Sequence, residues 1–289
     1  MIKTIFVPAS GTQTDDAVFA AALAVARPLA AHLDVYHQRL SVCEAAARTP
    51  HVQFCAGPAL NGALADLEQR DDNLSAVARN HFEKFCAENA IAVGQTSAAM
   101  DDVSANWIEE TDQAEQHFMF HARHSDLTVL GRRHSNDLMR YNLIEWLLLG
   151  SGRPILIAPE SSSAQVTGTA IVGWRETPEV AHALAAALPL LERARRVVLL
   201  SVEESHAATL ETLEHLAQRL KRHGIAAETR FLAGKSKSTA VQLAQQAAEL
   251  HADLLVVGGY GHGPLREAVC GGVTRALIEH ADVPVFMMH

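Results

Sequence analysis

The apolar residues of this chain fall into short continuous runs, separated by longer amphipathic stretches. Continuous apolar runs, as opposed to alternating ones, are typical of strands buried on both faces of a parallel sheet. The amphipathic stretches repeat their apolar residues at helical spacing, as Ala240, Leu243 and Ala247 do between Thr239 and Leu250. Strands that alternate with helices predict βαβ units with right-handed crossovers, and therefore an α/β fold.

This order of signals occurs twice along the chain. The predicted strands of the first half are KTIFVPA, LDVYHQRL, DLTVLG and PILIAP, and those of the second half are TAIVGW, RVVLLSV, ETRFLAG, DLLVVGG and PVFMM. In each half a predicted helix follows the first strand, at 17–31 and at 178–191. The strand ETRFLAG has a counterpart around TSAAMDD, residues 96–102, which gives each half about five strands. The pattern predicts two tandem, open, parallel-sheet domains of the Rossmann-like kind, at 1–159 and 170–289.

Two further segments complete this division. The small, polar stretch ESSSAQVTGT, residues 160–169, is the predicted linker between the domains. The first half is longer than the second, and its surplus lies at about 41–75, a region of mixed polarity that contains prolines and glycines. We interpret it as an insertion after the second strand.

Composition and charge narrow the function classes. The formal net charge of −9 disfavours nucleic-acid partners, which require clustered Lys and Arg. No apolar stretch is long enough to span a membrane, and the N-terminus lacks the features of a signal peptide. The four cysteines are scattered without CxxC spacing, which favours reduced thiols and a cytoplasmic protein. A small anionic ligand remains compatible with the negative charge, because backbone amides bind anions without formal charge.

Six glycines lie close together directly after the apolar run DLLVV, in the stretch GGYGHGPLREAVCGGVT. In an open parallel sheet, ligands bind beyond the carboxyl ends of the strands. The stretch leads into a predicted helix at about 272–280, and a helix N-terminus offers unpaired amides and partial positive charge to a phosphate. Successive amides in a left-handed turn form a nest with the same preference. We therefore predict that this loop binds an anion, with Thr274 as a hydroxyl donor and His262, Arg266 and Arg275 as nearby cations.

The spacing of these glycines resembles the motif G-x2-G-x9-G-[S/T] of the universal stress protein family. Gly258, Gly261 and Gly271 match the three glycines, and the ending RALIEHADVPVFMM is similar to the family's last helix and strand. The resemblance is strong over 169–289 and is carried by strand order alone over 1–159. It implies a tandem member of the family that binds ATP or another adenine nucleotide, with or without Mg²⁺, and whose two domains pack as a pseudo-dimer through their closing strands. A homodimer is left open. The implied ligand-binding residues are Gly173, Trp174, Arg175, Val202, Gly258, Gly261, Gly263, Arg266, Gly271, Gly272, Val273 and Thr274.

The chain departs from the family pattern in two places. Gly272 occupies the position of the motif's Ser or Thr, and Arg175 occupies the region where ATP-binding members carry an Asp after the first strand, with Glu176 as the nearest carboxylate. The first half lacks the glycine motif, because Gly131 is followed by no further glycine before Gly150. Gly150 lies in LLLGSGRP, which predicts a left-handed turn at the end of a helix. We predict that the first domain is degenerate, either a scaffold or a pocket for some other ligand under the insertion.

Other candidate motifs are weaker. AGKSKST at 233–239 resembles the end of a P-loop, but Thr229 stands where that motif requires Gly, and Ser236 or Ser238 is expected to cap the next helix. His117, His121 and His124 lie at helical spacing near Glu115 and could bind a metal, although chance pairs are common among sixteen histidines. We predict no metal site and no catalytic residue, because no nucleophile elbow or adenylation motif is present. Cys270 is a candidate for packing or for a redox-sensitive thiol.

Three functions are compatible with these observations. The favoured one is a regulatory, stress-response protein whose second domain binds an adenine nucleotide. The second is a slow ATPase or another nucleotide-dependent enzyme, since phosphoryl transfer depends mainly on positioning and Mg²⁺. The third is an interaction scaffold in which both pockets are empty.

Overall fold

A computed structural model describes residues 1–49, 52, 55–94, 102–111, 114–132, 143–160, 165–203, 206–233, 238–260 and 272–289. Its described strands form one sheet of eleven. The strands are β1 (Thr4–Ala9), β2 (His32–Arg39), β3 (Ala92–Val93), β4 (Ser104–Thr111), β5 (Leu127–Gly131), β6 (Ile155–Ala158), β7 (Thr169–Gly173), β8 (Arg196–Glu203), β9 (Ala227–Ala233), β10 (Leu254–Gly258) and β11 (Val285–Met288).

Helices follow most of these strands. They are α1 (Asp15–Leu29), α2 (Val42–Arg48), α3 (Pro58–Glu88), α4 (Ala114–His124), α5 (Leu143–Gly150), α6 (Pro178–Leu191), α7 (His206–Lys221), α8 (Thr239–Glu249) and α9 (Gly272–His280). The predicted helices at 178–191 and about 272–280 are confirmed at both ends, and the helix predicted at 17–31 begins and ends two residues earlier, as α1.

The strand order confirms the prediction of two similar α/β units. The sheet reads β3-β4-β2-β1-β5-β6-β11-β10-β7-β8-β9, so the first half contributes six strands and the second half five. Apart from the two-residue edge strand β3, the strands of the two halves have the same relative order. All the strand pairs are parallel except β6 with β11, where Leu156 lies opposite Phe286 in an antiparallel pair. The closing strands of the two halves therefore join the halves into one continuous sheet.

A repeated contact reinforces this correspondence. The carboxylate of Asp126 accepts a hydrogen bond from the backbone N–H of Thr4 at the start of β1, at 3.1 Å. The carboxylate of Asp253 accepts one from the backbone N–H of Thr169 at the start of β7, at 2.7 Å. Asp126 directly precedes β5, and Asp253 directly precedes the corresponding strand β10. In both halves a carboxylate at this position therefore connects the start of this strand to the start of the first strand of the half.

The sheet is the middle of three layers. On one face, α1, α3, α6 and α7 contribute apolar side chains to a buried cluster that spans both halves, with Phe19, Phe82 and Leu184 among its members. On the other face, α4, α5, α8 and α9 do the same, through residues such as Leu147 and Leu277. Because the strands are covered on both sides, their apolar runs are continuous.

The first half departs from the predicted details in its third strand and its insertion. The third strand is Ser104–Thr111, so the prediction of a strand around 96–102 is wrong in position; residues 96–101 themselves lie outside the described residues. The surplus predicted at about 41–75 forms the short helix α2 and the first part of α3, which has 31 residues where its counterpart α7 has 16. In LLLGSGRP the left-handed residue is Gly152 (φ 66°), whereas Gly150 is the last residue of α5.

Candidate functional site

The carboxyl edge of the second half is built around Gly258, the last residue of β10. A Cβ atom at this position would lie 2.8 Å from the backbone nitrogen of Val180, in the first turn of α6. Gly258 does not have a positive φ, so a left-handed turn is not what requires a glycine here. Instead, its missing side chain allows the N-terminus of α6, with its partial positive charge, to approach the end of β10.

The left-handed residue of this loop is Tyr260, with φ of 50°. Its backbone N–H donates to the hydroxyl of Thr274 at 3.3 Å, and its side chain is buried. Thr274 lies in the first turn of α9, so this hydrogen bond fastens the loop after β10 to the start of that helix. The N-termini of α6 and α9 thus lie at the same edge of the sheet, on opposite faces, which is the arrangement that favours an anion.

The first residue of α9 is exposed. Among the described residues, which do not include 261–271, an added Cβ at Gly272 would meet nothing within 4 Å. Val273 packs against the apolar cluster on its face of the sheet, and Thr274 is buried. Arg275, predicted as a nearby cation, is exposed and lies 3.2 Å from Glu279 in an i,i+4 pair. Of the other predicted residues, Gly261, His262, Gly263, Arg266, Cys270 and Gly271 lie outside the described residues.

The residues predicted at the ends of the first two strands lie beside one another. β7 ends at Gly173, which pairs with Leu200 on β8, and the backbone N–H of Trp174 continues this pairing at 2.7 Å from the carbonyl of Leu200. Trp174 is half-buried against the apolar cluster below α6, while Val202 packs on the opposite face. Arg175 and Glu176 are exposed.

Three polar atoms at this edge are buried and, within the described residues, have no hydrogen-bond partner. They are the indole Nε1 of Trp174, the Oγ of Ser201 and the Oε2 of Glu179. Buried polar atoms are nearly always paired, so such a group at the carboxyl edge of strands indicates a missing partner. The sequence reasoning did not select Ser201 or Glu179. The signal for Ser201 was a lone hydroxyl in the apolar strand RVVLLSV, and for Glu179 a carboxylate in the first turn of α6.

The corresponding edge of the first half is covered by the insertion helix α3. Gly11, in a left-handed conformation after β1, lies directly against the backbone carbonyl of Leu74 on α3. On the same helix, the hydroxyl of Ser75 donates to Glu109 at 3.1 Å. His37 is buried below these contacts. Its Nδ1 lies 2.9 Å from the carbonyl oxygen of Ala9, an atom that can only accept a hydrogen bond. The insertion therefore covers the carboxyl edge of the first half.

Two of the three histidines of α4, His117 and His121, lie beside the carboxylate of Glu110. The Oε2 atom of Glu110, on β4, lies 3.0 Å from Nδ1 of His117 and 3.3 Å from Nε2 of His121. The pKa of the neighbouring Tyr36 is raised well above its usual value, mainly by burial and further by the negative charge of Glu110. Among the residues that the structure describes, no cluster of three or more His, Cys, Asp or Glu is arranged to hold a metal ion.

Two other sequence predictions can be compared with the structure. Ser238 is the N-cap of α8, and its hydroxyl accepts a hydrogen bond from the N–H of Val241 at 3.4 Å, so the prediction that this loop caps a helix is confirmed. Cys86 is a free thiol, and burial raises its pKa to about 11. None of the helices in the described ranges is long and apolar enough to cross a membrane.

Comparisons with known proteins agree with this architecture. Residues 170–289 match the family model of the Universal stress protein family. Among solved structures, a universal stress protein from Archaeoglobus fulgidus is 12% identical, with a TM-score of 0.63 over 98% of this chain and 97% of that one. A putative universal stress protein from Pseudomonas aeruginosa UCBPP-PA14 is 16% identical, with a TM-score of 0.55 over 99% and 93%. A functionally unknown protein from Pseudomonas aeruginosa PAO1 is 15% identical, with a TM-score of 0.54 over 99% and 92%. No curated protein matches the chain.

Fold and site together define a tandem α/β protein. More particularly, residues 170–289 match the model of the universal stress protein family, and the whole chain shares the fold of solved universal stress proteins.

Proposed function

We propose that the second half binds an adenine nucleotide, ATP, ADP or AMP, as a regulatory ligand. The observation that carries this proposal is the group of three unpartnered buried atoms on Trp174, Ser201 and Glu179, which lies at the same edge as the N-termini of α6 and α9. The family match supports it independently, because the glycine spacing of Gly258 and the motif glycines after it lies in the matched region.

The chemistry of the three atoms suits a nucleoside. An indole N–H can only donate, a hydroxyl donates or accepts, and an ionised carboxylate only accepts. Adenine offers ring nitrogens as acceptors and an amino group as a donor, and ribose offers hydroxyl donors. We assign Trp174 and Ser201 to the base and Glu179 to the ribose, so that Glu179 supplies the carboxylate that is missing after the first strand.

The phosphates would lie at the start of α9. There the exposed Gly272 leaves room for an anion, and the backbone N–H groups of the first helical turn point toward it. Gly261, Gly263, Gly271 and Arg266 enter this part of the proposal from the sequence alone. Mg²⁺ would be carried by the phosphates themselves.

The regulatory role follows from differential binding. A nucleotide shifts a protein between two states only by its different affinity for each. The ligand would stabilise the state in which the loop after β10 is fastened to α9, and the two halves would act together as an intramolecular counterpart of a dimer through β6 and β11. The free thiol Cys86 favours a reducing compartment, so we place this role in the cytoplasm.

Calorimetric titration of ATP, ADP, AMP and GTP, each with and without Mg²⁺, tests this proposal. We expect adenine nucleotides to bind more tightly than GTP, and Trp174→Phe, which keeps an aromatic ring but removes the N–H, to weaken ATP binding about fivefold, the equivalent of one neutral hydrogen bond. Trp107→Phe is the matched control, because Trp107 lies on β4 in the first half and donates to Glu109. Equal heats for ATP and GTP, or equal effects of the two Trp variants, would overturn the assignment of the base site.

A further inference from the structure

One side chain of the second half's loop crosses to the first half. The hydroxyl of Tyr260 donates to Oε1 of Glu145, in the first turn of α5, at 2.5 Å. The adjoining backbone makes a second crossing contact, because a Cβ atom at Gly259 would lie 2.6 Å from the side chain of Leu148, also on α5. The loop that follows β10 is therefore packed directly on a helix of the other half.

Glu145 occupies a particular place in the repeat. It is the third residue of α5, and α9 is the corresponding helix of the second half. A carboxylate at a helix N-terminus is favourable for the helix dipole but repels a phosphate. Counted back from Pro154 and Pro284, which precede the closing strands, Glu145 corresponds to Arg275. The first half thus carries a carboxylate where the second half carries a cation, and this carboxylate accepts a hydrogen bond from Tyr260.

Tyr260 needs such support because of its backbone conformation. A bulky residue with positive φ is strained, at a cost that persists only when the surrounding structure holds it in place. Its N–H is held by Thr274 at 3.3 Å and its hydroxyl by Glu145, so one contact comes from each half of the chain. Loss of the Glu145 contact would release the left-handed turn that orients the backbone amides of the loop.

We infer that Glu145 is a positioning residue of the nucleotide site in the other half, and that nucleotide binding is coupled through Tyr260 to the junction between the halves. This inference rests on the proposed function. Coupling is reciprocal, so a nucleotide that fixes the loop must also stabilise the contact of the loop with α5. The first half would then serve as a support that sets the affinity of the second half.

A double-mutant cycle read by ATP calorimetry tests the coupling. We expect Tyr260→Phe and Glu145→Met each to weaken ATP binding about five- to tenfold, a typical coupling between sites. The double variant should bind no more weakly than either single variant, since both remove the same hydrogen bond. Glu145→Gln, which keeps an acceptor oxygen, should lie between Glu145→Met and the wild type.

Tyr36→Phe is the matched control. Tyr36 is a buried tyrosine of the first half whose hydroxyl bonds to Gln38, so its loss affects stability without reaching the loop. Its ATP affinity should equal that of the wild type. If Tyr260→Phe binds ATP within about twofold of the wild type, the inference is wrong while nucleotide binding stands. If the wild type binds no adenine nucleotide, the proposed function fails and this inference fails with it.

Hydrogen exchange supplies a readout that a purely structural role would not change. Saturating ATP should slow exchange in α5 (Leu143–Gly150) of the wild type and leave it unchanged in Tyr260→Phe. Equal protection of α5 by ATP in both proteins would contradict the coupling, even if the two proteins differed in stability.

Discussion

At the scale of single residues, the glycines of the second half serve different physical purposes. Gly258 is required because backbone atoms of α6 fill the space that a side chain would need, whereas Gly272 is exposed at the start of α9. Among the described residues between them, 259 and 260, the left-handed one is Tyr260, which is not a glycine. The spacing of the motif could be predicted from the sequence, but the reason for each glycine could not, because it depends on which helix approaches from elsewhere in the chain.

Substitution at Gly258 tests this distinction. We expect Gly258→Ala to lower the free energy of unfolding by about 1–3 kcal/mol, since the clashing atoms belong to the backbone and cannot rotate away. Gly131→Ala is the matched control: Gly131 ends the corresponding strand β5, and its Cβ would meet only a methyl group of Val18, at 3.0 Å. Urea denaturation of both variants measures the difference. Equal midpoints would show that α6 moves away at little cost.

At the scale of elements, strands and helices differed in how well the sequence predicted them. Helix α6 and helix α9 were predicted at both ends because each has a regular apolar face. Strand β4 was misplaced because it lies near the edge of the sheet, and its residues SANWIEET are largely half-buried or exposed, so it lacks a continuous apolar run. The buried residues of α3, Ser75, Ala78, Phe82, Phe85 and Cys86, all belong to its C-terminal half. The leucines at helical spacing in its first part, Leu60, Leu64, Leu67 and Leu74, are only half-buried.

Polar contacts also connect the first part of α3 to the end of β2. Arg39, the last residue of β2, lies 2.9 Å from Asp71 and also pairs with Asp72. Asp71 in turn accepts a hydrogen bond from the backbone N–H of Leu40 at 3.1 Å. Such a network can orient the first part of α3, whose side chains are less buried than those from Ser75 onward.

Removal of the Arg39 side chain should loosen this part of the helix selectively. In Arg39→Ala we expect amide exchange to accelerate over residues 58–74 and to remain unchanged over 78–88, where the apolar contacts lie. Arg79→Ala is the control, because Arg79 forms only an exposed i,i+4 pair with Glu83 and should change neither region. Uniform acceleration along the whole helix in Arg39→Ala would contradict this account.

At the scale of the whole molecule, the two halves form one sheet but differ at their carboxyl edges. In the first half α3 lies over the edge, against Gly11. Buried polar atoms without a partner among the described residues occur in both halves, on His37 and Thr128 in the first and on Trp174, Ser201 and Glu179 in the second. The missing glycine motif predicts that nucleotide binding is confined to the second half, and this stays a prediction. The sequence could not predict the antiparallel pairing of β6 with β11 in register, or the contact of Tyr260 with Glu145, because both join residues far apart in the chain.

The account depends on one claim, that the start of α9 binds the phosphates of an adenine nucleotide. Gly272 offers a direct test, since an added side chain meets no neighbour among the described residues and an Asp at a helix N-terminus stabilises the helix. The decisive measurement is calorimetric titration of ATP into the wild type, Gly272→Asp and its uncharged isostere Gly272→Asn. We predict that the wild type and Gly272→Asn bind ATP similarly, while Gly272→Asp binds at least about tenfold more weakly without a lower melting temperature, because only its charge opposes the phosphate. No binding by the wild type, or equal affinities for the Asp and Asn variants, would contradict the account.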